Sequence, residues 1–270
     1  MRFLTLLTAL PLAAQISSPQ LGFVGHRGEL RRIEGLAQSS RLSAPIAGLP
    51  ACSRLDAASR FALCTNAEGV KVIDTQTFST RTIASYERIV WSPNGSTVAL
   101  DAEVHDLLAA KSARVEGVIA AVSDAGSVAV RDAQGALRLR GEIVATPEAS
   151  VAAFDDEALL VAVGTTVHRI DPGRSAQQYS LAFEPSLLAS DASAFYAANA
   201  RAIARIDRAT AEVTVYEVPA DDVVITRLDR LTGGSLLLAS PGENQPGWLF
   251  RDGRFSFIPG IAVKEQEVSQ

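Results

Sequence analysis

The sequence predicts an all-β protein built from repeated four-stranded antiparallel sheets, because three features recur along the chain. The first is a hairpin pattern, clearest at residues 89–100, where two apolar runs flank the turn Pro93-Asn94-Gly95. The second is a short strand template that ends in aspartate and occurs three times. The third is a gap-free resemblance between the two ends of the sequence. Together these features indicate a closed ring of sheets.

The hairpin pattern marks the first two strands of each sheet. Its copies lie at 53–64, 89–100, 119–130, 151–163, 187–198 and 225–239. Successive copies are about 30 to 40 residues apart, which is typical of the four-stranded blades of a β-propeller. The weakest stretch is 101–118, where residues 106–111 could form a helical turn. We expect two strands there because the period on both sides requires them.

The aspartate-ending template predicts the third strand of a blade. It occurs at 70–74, 167–171 and 203–207, each time as a strand with alternating apolar positions. An aspartate suits the end of such a strand because its carboxylate accepts hydrogen bonds from backbone N–H groups just ahead and so closes the turn.

Residues 59–83 resemble one repeat of the YVTN-type, WD40-like β-propeller family. The resemblance is carried by 61–66, 69–75 and 80–83, with Leu63-Cys64-Thr65-Asn66 standing where that family has its naming tetrapeptide. The other repeats are degenerate, and the sequence has no Trp-Asp dipeptide. The resemblance implies a propeller and an exported bacterial setting, and it carries no catalytic residues across.

The two ends of the sequence predict how the ring closes. Residues 22–36 align without gaps on 247–261, and both read as the outer hairpin of a blade. The tail, 261–268, is long enough for one inner strand. We therefore expect a single domain at 20–268 with seven blades, the last one shared between both ends, which removes exposed sheet edges. The alternative is six blades plus an N-terminal hairpin.

Composition and the first residues predict export. Lys and Arg number 25 against 30 Asp and Glu, without a basic cluster, which argues against nucleic acid binding. Residues 1–14 read as a signal peptide cleaved near Ala14: Arg2 precedes an apolar run at 3–12, and small residues follow. The alternative is a buried first strand. No other run is long and apolar enough to span a membrane, so we expect a secreted or periplasmic protein.

The two cysteines, Cys52 and Cys64, predict a disulfide, since an even count in an exported protein favours pairing. The pairing register of the hairpin that contains both cysteines decides between a disulfide and the alternative of two buried thiols. A hairpin centred on Ala58 places the cysteines opposite each other, whereas one centred between Ala57 and Ala58 does not.

Acidic residues and one histidine are the candidates for chemistry. Asp56, Asp124, Asp155, Asp191 and Asp229 are expected in the turns that join the first two strands of a blade, where they bond backbone N–H groups, rather than in a ring of carboxylates. His105 follows Asp101 and Glu103, a spacing that could gather a metal ion or support acid–base work; the alternative is a solvated loop.

The opposite face, made by the loops between blades and between second and third strands, is the predicted ligand face. Its candidate residues are Glu87, Arg88, Asp101, Glu103, His105, Glu148, Glu184, Asp221 and Asp222. This mildly acidic set could bind a sugar, a cation or a protein, and the alternative is a solvated rim.

The sequence predicts an exported, non-catalytic propeller that is a monomer without a cofactor and serves as a binding or scaffolding module. Its partner is an unknown protein, or a small molecule or sugar. No nucleophile, zinc, phosphate-loop or calcium-loop motif occurs. The alternatives are a small propeller hydrolase or lyase with its site at the inter-blade loops, and an assembly unit of a surface layer or adhesin.

Overall fold

The computed structural model describes residues 19–36, 38–146, 148–173, 176–218, 224–231, 236–239 and 247–258. Every regular element in these ranges is a β-strand, and the strands form six four-stranded sheets and one three-stranded sheet, all antiparallel. The described part of the chain therefore has no helix that could cross a membrane. The all-β prediction is confirmed, and the four-stranded sheets are arranged as a propeller.

The three-stranded sheet comes first and is called the N-terminal sheet. It consists of β1 (Gln20–His26), β2 (Glu29–Leu36) and β3 (Ser39–Pro45), in that order.

The six four-stranded sheets follow in chain order as blades 1 to 6. Blade 1 contains β4 (Arg54–Ala57), β5 (Phe61–Asn66), β6 (Gly69–Asp74) and β7 (Thr80–Ile83). Blade 2 contains β8 (Ile89–Trp91), β9 (Thr97–Leu100), β10 (Glu103–Asp106) and β11 (Lys111–Arg114). Blade 3 contains β12 (Val118–Val122), β13 (Val128–Arg131), β14 (Leu137–Leu139) and β15 (Glu142–Ala145).

The second half of the ring repeats this layout. Blade 4 contains β16 (Ala149–Asp155), β17 (Ala158–Val163), β18 (Thr166–Ile170) and β19 (Gln177–Ser180). Blade 5 contains β20 (Leu187–Ser190), β21 (Ala194–Ala198), β22 (Ala202–Asp207) and β23 (Val213–Glu217). Blade 6 contains β24 (Asp229–Arg230), β25 (Leu236–Ala239), β26 (Gly247–Arg251) and β27 (Arg254–Ile258). The first strand of each blade is called its inner strand.

The local sequence patterns are confirmed at the level of strands. All six hairpin segments form the first two strands of a blade, and the uncertain stretch 101–118 forms β10 and β11. The aspartate-ending template forms the third strands β6, β18 and β22. Asp74 and Asp207 each accept hydrogen bonds from the backbone N–H groups two and three residues ahead, as the template predicts.

The core lies between neighbouring sheets. The second strands β9 and β21 are covered on both faces, so they are buried at every residue rather than at alternate ones. Between blades 4 and 5, Leu160 packs in one cluster with Phe195, and the ring of Tyr179 meets that of Phe195 edge-on at 4.9 Å. Each blade therefore depends on its neighbours to bury its apolar faces.

The N-terminal sheet lies between blade 6 and blade 1. Its apolar side chains Leu21, Val24, Ile33 and Leu42 pack with Leu231, Leu249 and Ile258 of blade 6. On the other side, Phe23 and Leu30 pack with Ala57, Ala62 and Ile73 of blade 1. The first and last blades are thus joined through this sheet.

Six blades with an added N-terminal element match the alternative prediction, and the seven-blade prediction is not confirmed. The added element is a sheet of three strands rather than a hairpin, because Ser39–Pro45 pairs with β2 across a bulge. The expected closing strand at 261–268 lies outside the described residues, as does the predicted signal peptide at 1–14.

Candidate functional site

A cavity of about 210 Å³ lies in the channel between the inner strands of the six blades. Its wall is formed by Ala58, Ser59, Val90, Trp91, Ser92, Pro93, Ala121, Val122, Ala152, Ala153, Phe154, Leu188, Ala189, Ser190, Leu228, Asp229 and Arg230. These residues come from the inner strands and from the turns that join first and second strands. The cavity therefore lies toward the turn face, the face opposite the predicted ligand loops.

The cavity wall is somewhat more apolar than polar, and most of its side chains are small. Alanines at 58, 121, 152, 153 and 189 line it together with Val90 and Leu188, and of these the alanines at 121, 152 and 189 also pack in the apolar clusters between blades. An apolar concavity with a few polar groups is the usual form of a small-ligand site.

Most polar side chains in the wall are engaged within the protein. Ser59 donates a hydrogen bond to the carbonyl of Asn94, and Ser190 donates to the carbonyl of Phe154 at 3.3 Å. The Ser92 hydroxyl accepts from the N–H of Thr97 at 3.1 Å. Asp229 forms an ion pair with Arg227. Arg230, half-buried in the same wall, has no ion pair or hydrogen bond within the described ranges.

A cluster of charged groups joins blade 6 to blade 1 beside the cavity. Arg227 donates a hydrogen bond to the carbonyl of Ala57 at 2.6 Å, which bridges the two blades. Asp56 accepts from Arg54 at 2.9 Å and from the hydroxyl of Tyr86 at 3.1 Å. Because these groups are far apart in sequence, no local motif indicated the cluster.

The pKa values of this cluster follow from burial and from neighbouring carboxylates. Burial raises the pKa of Asp229; Arg227 opposes this rise and the charge of Asp56 adds to it. Burial and then the charge of Asp56 raise the pKa of Tyr86 to about 12. Tyr86 is therefore a neutral hydrogen-bond donor at neutral pH, and the protonated form of Asp229 is favoured more than in a solvated aspartate.

The predicted ligand residue Asp101 has a structural role. Its carboxylate accepts hydrogen bonds from the backbone N–H groups of Arg88, at 2.8 Å, and Glu87, at 3.2 Å. It thereby holds the loop between blades 1 and 2, while the side chains of Glu87 and Arg88 are exposed.

Of the predicted Asp101, Glu103 and His105 set, the structure brings two side chains together. His105 Nε2 lies 3.4 Å from a carboxylate oxygen of Glu103. Burial lowers the pKa of His105, with Glu103 opposing this shift and Arg81 adding to it. The imidazole is therefore neutral at neutral pH.

The remaining predicted ligand residues that the structure describes, Glu148 and Glu184, do not form a site with Asp101, Glu103 and His105. Glu148 and Glu184 are exposed in the segments that precede the inner strands of blades 4 and 5. Asp221 and Asp222 lie outside the described residues. Within the part of the chain that the structure describes, no three His, Cys, Asp or Glu side chains form a group that could hold a metal ion.

The five recurrent aspartates divide into two groups. Asp124 and Asp191 lie in turns as predicted: Asp124 accepts from the N–H of Asn94 at 3.0 Å, and Asp191 from that of Ser193 at 2.7 Å. Asp56, Asp155 and Asp229 lie within the inner strands β4, β16 and β24, so the turn prediction is wrong for them. Their carboxylates pair with arginines, which sequence spacing did not indicate.

In the structure the Sγ atoms of Cys52 and Cys64 are bonded, with 5.3 Å between the Cα atoms. Neither register considered from the sequence is present, because β5 pairs with β4 so that Cys64 lies opposite Leu55. Cys52 precedes β4, and its N–H donates to the carbonyl of Gly28 in the N-terminal sheet. The bond therefore ties the segment entering β4 to β5.

No protein-family model matches the sequence, and neither does any curated protein. A solved structure of PorZ, a surface component of the type-IX secretion system of Porphyromonas gingivalis, aligns with a TM-score of 0.59 at 13% identity. The alignment covers 91% of this chain and 39% of that one, so the chain spans about two fifths of the PorZ structure. The chain is a β-propeller. At this identity the likeness shows the fold alone.

Two further solved structures align less closely. The extracellular domain of the putative one-component system BT4673 from B. thetaiotaomicron has a TM-score of 0.46 at 11% identity, over 90% of this chain and 38% of that chain. Virginiamycin B lyase from Staphylococcus aureus has a TM-score of 0.38 at 15% identity, over 94% of this chain and 88% of that chain. Neither likeness is close enough to bear on function.

Proposed function

We propose that this chain is an exported β-propeller that acts as a binding or scaffolding module and holds its ligand in the channel. The observation that carries the proposal is the apolar cavity of about 210 Å³ at the turn face, with its few polar groups. All six blades contribute to its wall, five through their inner strands and blade 1 through the turn residues Ala58 and Ser59, so the geometry of the site is fixed by the whole ring rather than by one mobile loop.

The proposal includes the finer features that the sequence predicts. Residues 1–14 act as a signal peptide, the mature domain spans 20–268 as a monomer, and its repeats are of the YVTN-like type. A disulfide between Cys52 and Cys64 fits an oxidising compartment, the periplasm or the exterior. The propeller fold shared with a bacterial surface component fits the same setting.

Within the described ranges, neither alternative function has supporting geometry of its own. A hydrolase or lyase would gather three or more carboxylates or histidines around one bound atom, and the described residues hold no group of this kind able to bind a metal. An assembly unit of a surface layer would present a large contiguous apolar patch. The most exposed large apolar side chains, Leu36 and Ile143, lie on different sheets.

The channel is tested by retention of ligands on the immobilised mature protein. Ala153 lines the cavity and is half-exposed, so Ala153→Leu should fill part of the space. Arg114→Gln on the exposed outer strand β11 is the matched control. We expect material from periplasmic extract or culture medium to be retained by the wild type and the control but not by Ala153→Leu. Equal retention by all three would exclude the channel as the site.

Export is tested separately by fractionation and N-terminal sequencing. The full chain should reach the outer compartment with its N-terminus near residue 15, and a chain lacking residues 1–14 should stay in the cytoplasm. Recovery of intact Met1 from the outer compartment would contradict the signal-peptide assignment.

A further inference from the structure

The channel cavity contains one cation that the described residues leave unpaired. The serines of its wall are bonded to backbone groups, and Asp229 is paired with Arg227. Arg230 has no such partner within the described ranges, and it lines a space whose wall also contains apolar side chains such as Val90 and Leu188. Because Arg230 is half-buried, a bound anion would pair with its guanidinium in a partly dehydrated setting, where a charge-assisted hydrogen bond is stronger than in water.

The size of the cavity limits the apolar part of its ligand. Its volume of about 210 Å³ exceeds that of an engineered cavity of about 150 Å³ that binds benzene. It is below the range of about 300 to 1,000 Å³ found for drug-sized ligands. The space therefore suits one ring or one branched aliphatic chain with a short polar end.

We propose that the cavity binds a small apolar carboxylate, whose ring or chain occupies the space beside Val90, Ala153 and Leu188 and whose carboxylate pairs with Arg230. This deepens the proposed function and rests on it. A guanidinium matches a carboxylate through two parallel N–H···O bonds, which gives both affinity and orientation.

The charges around Arg230 permit an anion at this position. The adjacent carboxylate, Asp229, is neutralised by Arg227, and burial raises its pKa, so it opposes an incoming anion less than a solvated aspartate would. Asp155, in the inner strand of blade 4, is held by Arg169 and Arg208.

An apolar group that carries a carboxylate can belong to a free acid or to the C-terminal residue of a peptide. Benzoate and 3-phenylpropanoate represent the free acids, and N-acetyl-alanyl-phenylalanine represents the peptide end. Benzamide is the neutral match for benzoate. Tight binding of the free acids alone indicates a metabolite site, and stronger binding of the peptide indicates a partner's C-terminus.

Titration calorimetry with the mature protein tests the proposal. We expect benzoate to bind the wild type at least tenfold more tightly than benzamide does. Arg230→Gln should weaken benzoate binding at least tenfold and leave benzamide binding unchanged, whereas Arg114→Gln should change neither. Ala153→Leu should abolish binding of both; Ala153→Val, a smaller change at the same position, provides a second test of the cavity if the first variant does not fold.

Two results would overturn the proposal: no binding of any of these carboxylates to the folded wild type, or equal benzoate binding by the wild type and Arg230→Gln. Retention of a ligand that is lost on Ala153→Leu, together with no carboxylate binding, would contradict this inference and leave the proposed function intact. Carboxylate binding to a protein found in the cytoplasm would instead contradict the proposed export.

Discussion

Asp155 shows how a single residue connects two blades. Its side chain is fully buried at the end of β16, where Arg169 of the same blade lies 2.9 Å away. Arg208, from the next blade, pairs with the same carboxylate and also donates to the carbonyl of Asp191. A buried carboxylate is stable only while its charge is compensated, so Arg208 holds blade 5 against blade 4.

Arg208→Gln should destabilise the protein by about 3 kcal/mol, because it removes one of two cations from a buried carboxylate. Asp156→Asn is the matched control: Asp156 also pairs with Arg208, but its side chain is 84% exposed, and exposed pairs contribute about 1 kcal/mol or less. The free energy of unfolding from urea denaturation measures both. A loss no larger for Arg208→Gln than for Asp156→Asn would show that the buried pair does not join the blades.

Asp191 is a second residue whose charge is used structurally. Burial by itself would raise its pKa, but hydrogen bonds from the N–H groups of Ser193 and Ala194 and from the hydroxyl of Tyr196 together lower it. The ionised form is therefore favoured in the folded state. Its stabilising effect is complete above the unfolded pKa of about 3.9 and is lost as the pH falls through the lower, folded pKa.

Asp191→Asn should reduce the stability by about 1 kcal/mol at pH 7, since hydrogen bonds to a charged acceptor are the stronger ones. The difference between wild type and variant should shrink as the pH falls below about 4, because the carboxylate is protonated first in the unfolded chain and, at lower pH, in the folded protein. Denaturation curves of both proteins at pH 7, 5 and 3 measure this difference in stability. A difference that stays constant over this range would contradict the assigned role of the charge.

Blade 1 differs from the other elements because a covalent bond supports its first hairpin. The strands β4 and β5 pair through only four residues of β4, and Cys52 lies outside that ladder. The bond to Cys64 closes a loop with a sequence separation of 12. A loop of this length restricts the unfolded chain and stabilises the folded state by about 3 kcal/mol in the chain-entropy model.

The double variant Cys52→Ala/Cys64→Ala should therefore be less stable than the oxidised wild type by about 3 kcal/mol. Reductant should lower the melting temperature of the wild type and leave that of the double variant unchanged, which provides the control. A wild type whose thiols are shown to be reduced, yet which melts at the same temperature as before, would show that the bond does not stabilise blade 1.

At the scale of the whole molecule, the ring is joined where the N-terminal sheet meets the first and last blades. Two glycines of β1 lie against opposite neighbours. A Cβ at Gly25 would lie 2.7 Å from the backbone carbonyl oxygen of Leu55 in blade 1, whereas one at Gly22 would meet the flexible side-chain end of Leu231 in blade 6. The sheet therefore approaches blade 1 backbone to backbone.

Gly25→Ala should destabilise the protein by about 1 to 3 kcal/mol, because the added methyl group forces the sheet away from the backbone of blade 1. Gly22→Ala, in the same strand, should cost less, since the end of Leu231 can rotate. Thermal unfolding of both variants measures the difference. Equal losses would mean that the N-terminal sheet is not seated against blade 1 in this way.

The sequence by itself determined the strands and turns, because these depend on residues that are close together in the chain. The turn at Pro93-Asn94-Gly95 and the aspartates Asp74 and Asp207 close turns with backbone groups a few residues away, so their patterns predicted the strands of the blades correctly. Apolar runs separated by such turns were sufficient to predict repeated antiparallel sheets, because strand formation follows local pattern and turn chemistry.

Only the tertiary structure decided the contacts between blades and the position of the cavity, because these depend on how different sheets meet. The pairing of Asp155 with Arg208, the bridge from Arg227 to Ala57 and the position of Arg230 in the cavity wall all depend on how different blades approach one another. The spacing of residues within one strand carries no information about which residues of another blade they will contact. The position of the cavity at the turn face follows from the same cause, since residues from all six blades form its wall.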